Sequence, residues 1–247
     1  MNQFYPDVFL DIAQTFDRVW YDGLLYKLKL FLPAPYYLII RSYLENRSYK
    51  IRYDSSYSPH FSIKAGVPQG SDLSPDLFNI YTVDIPVTTN TNYADETAIL
   101  CAKNDPDETS NCLQTHLDSI DNWATKWRIK INPDKSVYVP FTLKRTVPPA
   151  VHLQGTQIPS SPNVKYLGIT IDKRLTWGPH LKLKRKTLNS RLHLLHPILK
   201  SKLPVHTKLI MYKSLLRSIG VYAIQIWDCA KPSQIARYKH SSPLPFV

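Results

Sequence analysis

Glycine is scarce in this chain, with 7 residues in 247, against roughly 7% of an average protein. None of the seven falls into GxGxxG or GxxxxGK[ST] spacing. Rossmann dinucleotide sites and Walker-type phosphate loops therefore lose their usual signal. The three cysteines, Cys101, Cys112 and Cys229, form no CxxC pair. Neither a zinc ribbon nor a disulfide framework is suggested, and a reducing, intracellular compartment is expected. No apolar run reaches the roughly 18 residues of a membrane span. The opening MNQFYPDVFLDIAQ has neither the basic flank nor the long apolar stretch of a signal peptide. No internal repeat or low-complexity tract is present.

Acids are almost missing from the last 75 residues. Residues 173–247 hold 15 Lys and Arg against Asp228 alone, whereas residues 1–172 hold 16 against 18 acids. The formal excess of +12 thus sits entirely at the C-terminal side. Such a block points to a polyanion, either nucleic acid or an anionic membrane surface. A hydrophobic content of 43% is ordinary for a globular chain.

Periodicity places the elements. Residues 6–12 (PDVFLDI) predict a short buried strand. Residues 22–31 and 34–46 predict helices joined at Pro33 and Pro35. Residues 48–53 and 57–64 predict a strand pair, 73–83 a helix, and 91–102 a strand, an acidic turn and a second strand. A long amphipathic helix is expected over 107–127, ended by Asn132-Pro133. Strands are expected at 135–142 and 164–171, helices at 178–200 and 204–218, with breaks at Pro197 and Pro204. The composition shift sets an expected boundary between residues 1–172 and 173–247.

Asp11 closes an apolar strand, and Asp95-Glu96 form a turn between two others. Carboxylates at buried strand ends are costly unless a partner or a cation offsets them. Two such acids side by side suit a two-metal site. The plainer readings are that Asp11 caps or pairs with an arginine and that Asp95-Glu96 is a solvated hairpin turn.

Five blocks follow one another: LDIAQTFDRVWYDGLLYKL (10–28), AGVPQGSDLSPDLFNIYTVDIP (65–86), YADETAIL (93–100), WATKWRIKINPDKS (123–136) and VKYLGITID (164–172). In that order they resemble reverse transcriptases of non-LTR (LINE-type, jockey-like) retrotransposons, over about residues 6–230. The resemblance implies an α+β fold, with a polymerase palm of antiparallel sheet and packed helices over 1–172. A basic, helical, thumb-like region over 173–247 follows. It implies RNA-directed DNA polymerase activity by two-metal nucleotidyl transfer, with two Mg²⁺ ions, Mn²⁺ being an alternative. The implied partners are an RNA template, a DNA primer, dNTPs and other retroelement-encoded domains, with no membrane.

The same resemblance assigns roles. Asp11 and Asp95 match metal-binding aspartates, and Glu96 stands where the family has a second aspartate. The extra methylene displaces that carboxylate by roughly 1.5 Å. Phe16 matches the position that excludes a ribose 2′-hydroxyl. Asp17, beside it, is expected to orient backbone or pair with Arg18. Gln69 and Gly70 match a loop lining the nucleotide and template base, and Lys135 matches a residue near the departing phosphate. Tyr166, Leu167 and Gly168 match a hairpin that grips the primer; read by themselves, they are a strand with a bulge. Lys182, Lys184, Arg185, Lys186 and Arg191, interleaved with leucines, read as a nucleic-acid-binding helix, a membrane-surface helix or a solvated face. After a palm, the first of these is expected.

Only ten residues precede Asp11, whereas the family carries fingers and endonuclease segments upstream. The expectation is therefore an N-terminally truncated piece with the fingers largely absent. An inactive relic that binds nucleic acid through its basic part is the competing reading. An RNA-dependent RNA polymerase is a third, against which Phe16 argues.

Overall fold

The computed structural model describes residues 4–13, 15–86, 90–93, 96–144 and 146–241. It divides into two compact units, Met1–Ser161 and Pro162–Val247.

The first unit opens with β1 (Tyr5–Ile12), α1 (Tyr21–Phe31) and α2 (Ala34–Leu44). A ribbon follows, made of β2 (Ser48–Tyr49), β3 (Arg52–Tyr53), β4 (Ser56–Tyr57) and β5 (Phe61–Ser62). Then come α3 (Ser74–Thr82), β6 (Asn90–Tyr93), β7 (Glu96–Leu100), α4 (Pro106–Lys126) and β8 (Ile131–Phe141). The unit ends with a small hairpin, β9 (His152–Leu153) and β10 (Thr156–Gln157). Four strands form an antiparallel sheet in the order β6-β7-β1-β8. The apolar run of β1 fits its central place, since Val8, Phe9, Leu10 and Ile12 are all buried.

Helix α4 begins cleanly because the Asp105 carboxylate accepts the backbone N–H groups of Asp107 and Glu108, two donors the helix itself cannot satisfy. Its stripe of Leu113, Leu117, Ile120 and Ala124 is fully buried in the first core, which also takes Leu24, Leu28, Leu77, Tyr81 and Ile99. Among these apolar side chains lies Lys27 of α1, only 3% exposed. Its ammonium bonds the Asp84 carboxylate and the Tyr81 carbonyl, and it stands 3.6 Å from the centre of the Trp127 ring. Burial pulls the Lys27 pKa below its ordinary value, and Asp84 opposes that pull.

The second unit contains β11 (Asn163–Tyr166), β12 (Ile169–Asp172), α5 (Gly178–Lys200), α6 (Val205–Tyr212), α7 (Ser218–Val221), α8 (Ile224–Trp227) and α9 (Pro232–Ser241). A π-helical turn, Lys213–Arg217, joins α6 to α7. Ile169, Trp177, Leu181, Leu188, Leu216 and Trp227 form a second core. The turn into α5 is held by the buried Asp172 carboxylate, which accepts the backbone N–H groups of Thr176 and Trp177 and the Thr176 hydroxyl.

Some expectations meet a different arrangement. The compact units part at Ser161/Pro162, ahead of the composition shift at 172/173. Among the described residues, the hairpin β11–β12 pairs with no other strand. It packs on α5 instead, where the Thr170 amide donates to His180 Nδ1 at 3.2 Å. Residues 164–171, a strand by periodicity and a hairpin by resemblance, are two strands around a turn. Strand β8 starts at Ile131 and runs through Asn132-Pro133, because a bulge there spares Pro133 a ladder bond. Helix α5 fills the expected range, Gly178–Lys200, and runs through Pro197, where a break was expected. Among the described residues, no helix is long and apolar enough to cross a membrane.

Candidate active site

Asp11 lies half-buried at the end of β1, where the apolar run gives out. The antiparallel register sets it opposite Glu96 of β7 on one side and Asn132 of β8 on the other. Asp95 lies outside the described residues. Between Phe9↔Val137 and Asp11↔Asn132 the register shifts, so Pro133, Asp134, Lys135 and Ser136 together stand opposite Leu10 alone. This wide bulge has its own internal bonds. Ser136 Oγ donates to the Asn132 carbonyl at 2.7 Å, and the Asp134 amide donates to Asn132 Oδ1 at 3.1 Å. The same Ser136 Oγ accepts the Asp11 amide at 3.2 Å. Ser136 is fully buried, whereas Lys135 projects from the bulge and is exposed. The bulge therefore brings Lys135 to the strand end that carries Asp11, and Ser136 fixes the backbone of Asp11.

The loop over 65–70 is seated on the segment after β1. The Gly66 amide donates to the Val19 carbonyl, and the Val67 amide to the Phe16 carbonyl. Gly66 has a φ of +90°, and a Cβ there would stand 2.7 Å from the Asp17 carbonyl oxygen. Only glycine fits both demands. Gln69 Nε2 donates to Asp17 Oδ1 at 2.9 Å. The half-buried Phe16 packs on Phe78, with ring centres 5.4 Å apart. Phe16, Gln69 and Gly70 thus belong to one locality, and Asp17 ties the loop down by accepting from Gln69. Gln69 and Gly70 are themselves exposed.

The remaining candidates belong to the second unit. Leu167 and Gly168 are the two central residues of the β11–β12 turn, with φ of +46° and +73°. Two positive φ values give the turn whose twist matches a hairpin. Tyr222 holds this tip from outside: its hydroxyl donates to the Leu167 carbonyl at 2.6 Å, and its ring would stand 3.4 Å from a Cβ on Gly168. The Tyr222 carbonyl in turn accepts from Lys184 Nζ at 2.6 Å and Trp227 Nε1 at 2.8 Å.

On α5, Lys182, Lys186 and Arg191 are exposed and Arg185 is half-buried. Lys184 corrects the expected basic face. It is buried against the Trp227 ring, at 4.6 Å from the ring centre, and burial lowers its pKa to about 8. Its amine serves the Tyr222 carbonyl rather than a phosphate. Beside it a groove of about 460 Å³ is lined by Lys165, Gly168, His180, Lys184 and Tyr222, among others.

The profile of the family described as "Reverse transcriptase (RNA-dependent DNA polymerase)" matches residues 6–171. The chain belongs to the reverse transcriptase family. Among family members it is 39% identical over 245 residues to the probable RNA-directed DNA polymerase from transposon BS of Drosophila melanogaster. The match covers 93% of this chain and 27% of that protein. It is 34% identical over 251 residues to the RNA-directed DNA polymerase from mobile element jockey of the same fly, covering 96% and 27%. The chain thus spans about a quarter of these relatives. A solved telomerase from Candida albicans, in complex with a fragment of telomeric RNA, shares a fold likeness at a TM-score of 0.51 and 11% identity. That likeness covers 96% of this chain and 48% of the telomerase.

Ser136 and Tyr222 escaped the sequence reading, although Ser136 closes the WATKWRIKINPDKS block. Asp17, expected to orient backbone or pair with Arg18, accepts from Gln69. Among the described residues no group of three or more His, Cys, Asp and Glu stands together as a metal site.

Proposed function

We propose that this chain carries the catalytic core of an RNA-directed DNA polymerase, with residues up to about 172 acting as palm and the basic remainder as a thumb-like arm. Family membership supports the class of reaction. The observation that carries the site is the β1–β7 register, which pairs the backbone of Asp11 with that of Glu96, one residue from Asp95.

Asp11, Asp95 and Glu96 offer only carboxylate oxygens, the donors that Mg²⁺ and Mn²⁺ prefer, so these residues fit the expected ions. Such ions would activate a primer 3′-hydroxyl and neutralise the departing pyrophosphate. The chain's own residues do the placing. Ser136 holds the backbone of Asp11, which fixes where that carboxylate starts. Phe16 stands where a 2′-hydroxyl would meet its ring, favouring dNTPs. Gln69 and Gly70 present exposed polar and backbone groups to a base pair. Lys135, on its bulge beside Asp11, supplies a cation for the leaving phosphate. Tyr166, Leu167 and Gly168 form the tip assigned to the primer end. Lys182, Lys186 and Arg191 face solvent, where backbone phosphates of the template–primer can meet them.

The test is Mg²⁺-dependent primer extension on an RNA template by wild type and Asp11→Asn. Loss of extension by at least a hundredfold in Asp11→Asn is expected, and equal extension by both overturns the assignment. The glutamate at position 96 favours a second reading, a chain that binds nucleic acid without extending it. Extension by wild type removes that reading, and so does its rise on Glu96→Asp.

A further inference from the structure

We propose that the β2–β5 ribbon, Ser48–Ser62, is a binding platform for single-stranded nucleic acid. This deepens the polymerase reading, on which it rests for the identity of the strand.

The ribbon is two short strand pairs nested in one hairpin, β2 with β5 and β3 with β4. Both of its faces are open to solvent, and Tyr49, Tyr53, Tyr57 and Phe61 are 49%, 80%, 62% and 43% exposed. Four bare rings on so short a ribbon gain nothing from the core, and a lone two-stranded hairpin is marginal in water. The rings are already arranged for stacking. Tyr49 and Phe61 lie 5.3 Å apart between centres, tilted by 30°.

Cations alternate with these rings in the run Tyr49-Lys50-Ile51-Arg52-Tyr53. Lys50 and Arg52 both stand near the Tyr57 ring, at 6.0 and 5.8 Å from its centre. Residues 47–64 carry Arg47, Lys50, Arg52 and Lys64 against Asp54 alone, in a unit where acids otherwise outnumber Lys and Arg. The pattern decides between partners. Protein interfaces are rich in tyrosine but poor in lysine, whereas rings interleaved with cations suit unpaired bases on a phosphate backbone. A duplex keeps its base faces stacked and offers them to no ring.

The foot of the ribbon is fixed to the candidate site. The Ile63 amide donates to the Arg47 carbonyl, and Arg47 Nη1 donates to the Gly66 carbonyl at 2.9 Å. A strand lying on the ribbon is thereby led to the loop that carries Gln69.

The full chain is titrated against labelled oligo-U, oligo-dT and a duplex, each of about 20 nucleotides, between about 50 and 200 mM salt. Tyr53→Ala/Tyr57→Ala is expected to weaken single-strand binding roughly tenfold or more and to leave duplex binding within about twofold. Lys50→Gln/Lys64→Gln is expected to flatten the single-strand salt slope by about 1.4. Photo-crosslinks from 5-iodouridine should fall within residues 48–64. Circular dichroism of both variants should match wild type, since the altered side chains are exposed.

Unchanged single-strand affinity in both variants overturns the proposal. So does a change of oligomeric state in the tyrosine variant with affinity intact, which assigns the ribbon to a protein contact. Primer extension is scored separately. If no form extends a primer while the ribbon variants still lose single-strand affinity, the ribbon stands and the polymerase reading falls.

Discussion

Asp7 sits in the middle of β1, between Leu100 of β7 and Val139 of β8, and is 8% exposed. Burial pushes its carboxyl up from 3.8 to about 8. The folded chain therefore keeps Asp7 protonated at neutral pH, whereas the unfolded chain ionises it near pH 4. Folding binds a proton in that window, so stability falls as pH rises from about 4 to about 8 and is level outside it. Each pH unit costs about 1.4 kcal/mol from this group alone. Asp7→Asn should remove the slope and stabilise the chain by about 4 kcal/mol at pH 7. Urea unfolding at pH 5 and pH 7 measures it, and an asparagine variant less stable than wild type at pH 7 would refute it.

Asp11 and Asp7 illustrate what a sequence can disclose at this scale. An acid that ends an apolar strand is visible in the residue order, and so was Asp11. Whether an acid four positions earlier is buried depends on which strands flank β1. Ser136 was hidden for a similar reason. Its bond to Asp11 spans 125 residues and exists only because β8 carries extra residues opposite Leu10. Lys184 looked like its neighbours on the basic run, but the fold of the chain past residue 218 brought the Tyr222 carbonyl and the Trp227 ring to it.

Elements are held by a few long-range polar ties. Asp84, just past α3, accepts from Lys27 of α1 and from Trp123 Nε1 of α4, the latter at 2.8 Å. Removing it leaves a buried ammonium without its counter-charge, a change that costs more than the pair itself is worth. Asp84 is half-exposed, so the cost is moderated by solvent. Asp84→Ala should lose about 2 kcal/mol, and Lys27→Met/Asp84→Ala should recover part of it in a double-mutant cycle. In the second unit, Tyr222 ties the hairpin tip. Tyr222→Phe keeps the ring beside Gly168 and deletes the bond to Leu167, a loss of about 1 kcal/mol. Amide exchange at Leu167 and Gly168 should quicken, and unchanged exchange there would deny the tie.

Helices α1, α2 and α4 were readable, because their leucine spacing and flanking prolines are local signals. The bounds of β8 and the two positive φ values of the turn at 167–168 were not, and the break expected at Pro197 did not form. In each, a local rule about proline or strand length was overridden by a bulge, a pair of positive φ values or helix propagation.

At the scale of the molecule, charge is partitioned along the division of the fold. The unit Pro162–Val247 holds 16 Lys and Arg against Asp172 and Asp228. Asp172 is spent on the turn into α5. Repulsion among so many cations disfavours the compact unit, and a polyanion relieves it. The chain was expected to grip nucleic acid through this half, and α5 supplies the exposed cations Lys182, Lys186 and Arg191. Each phosphate neutralised on a duplex steepens the salt dependence by about 0.9. Lys182→Gln/Lys186→Gln/Arg191→Gln should therefore flatten the duplex salt slope by up to about 2.7, with single-strand binding by the ribbon largely retained. The measurement is duplex affinity across a salt series. A slope unchanged by the triple substitution would mean that the duplex does not meet α5, and the solvated-face reading of that helix would then hold. A change equal on duplex and single strand would instead mean that α5 acts through the general field of the unit, because a direct phosphate contact is felt only by the strand that lies on it.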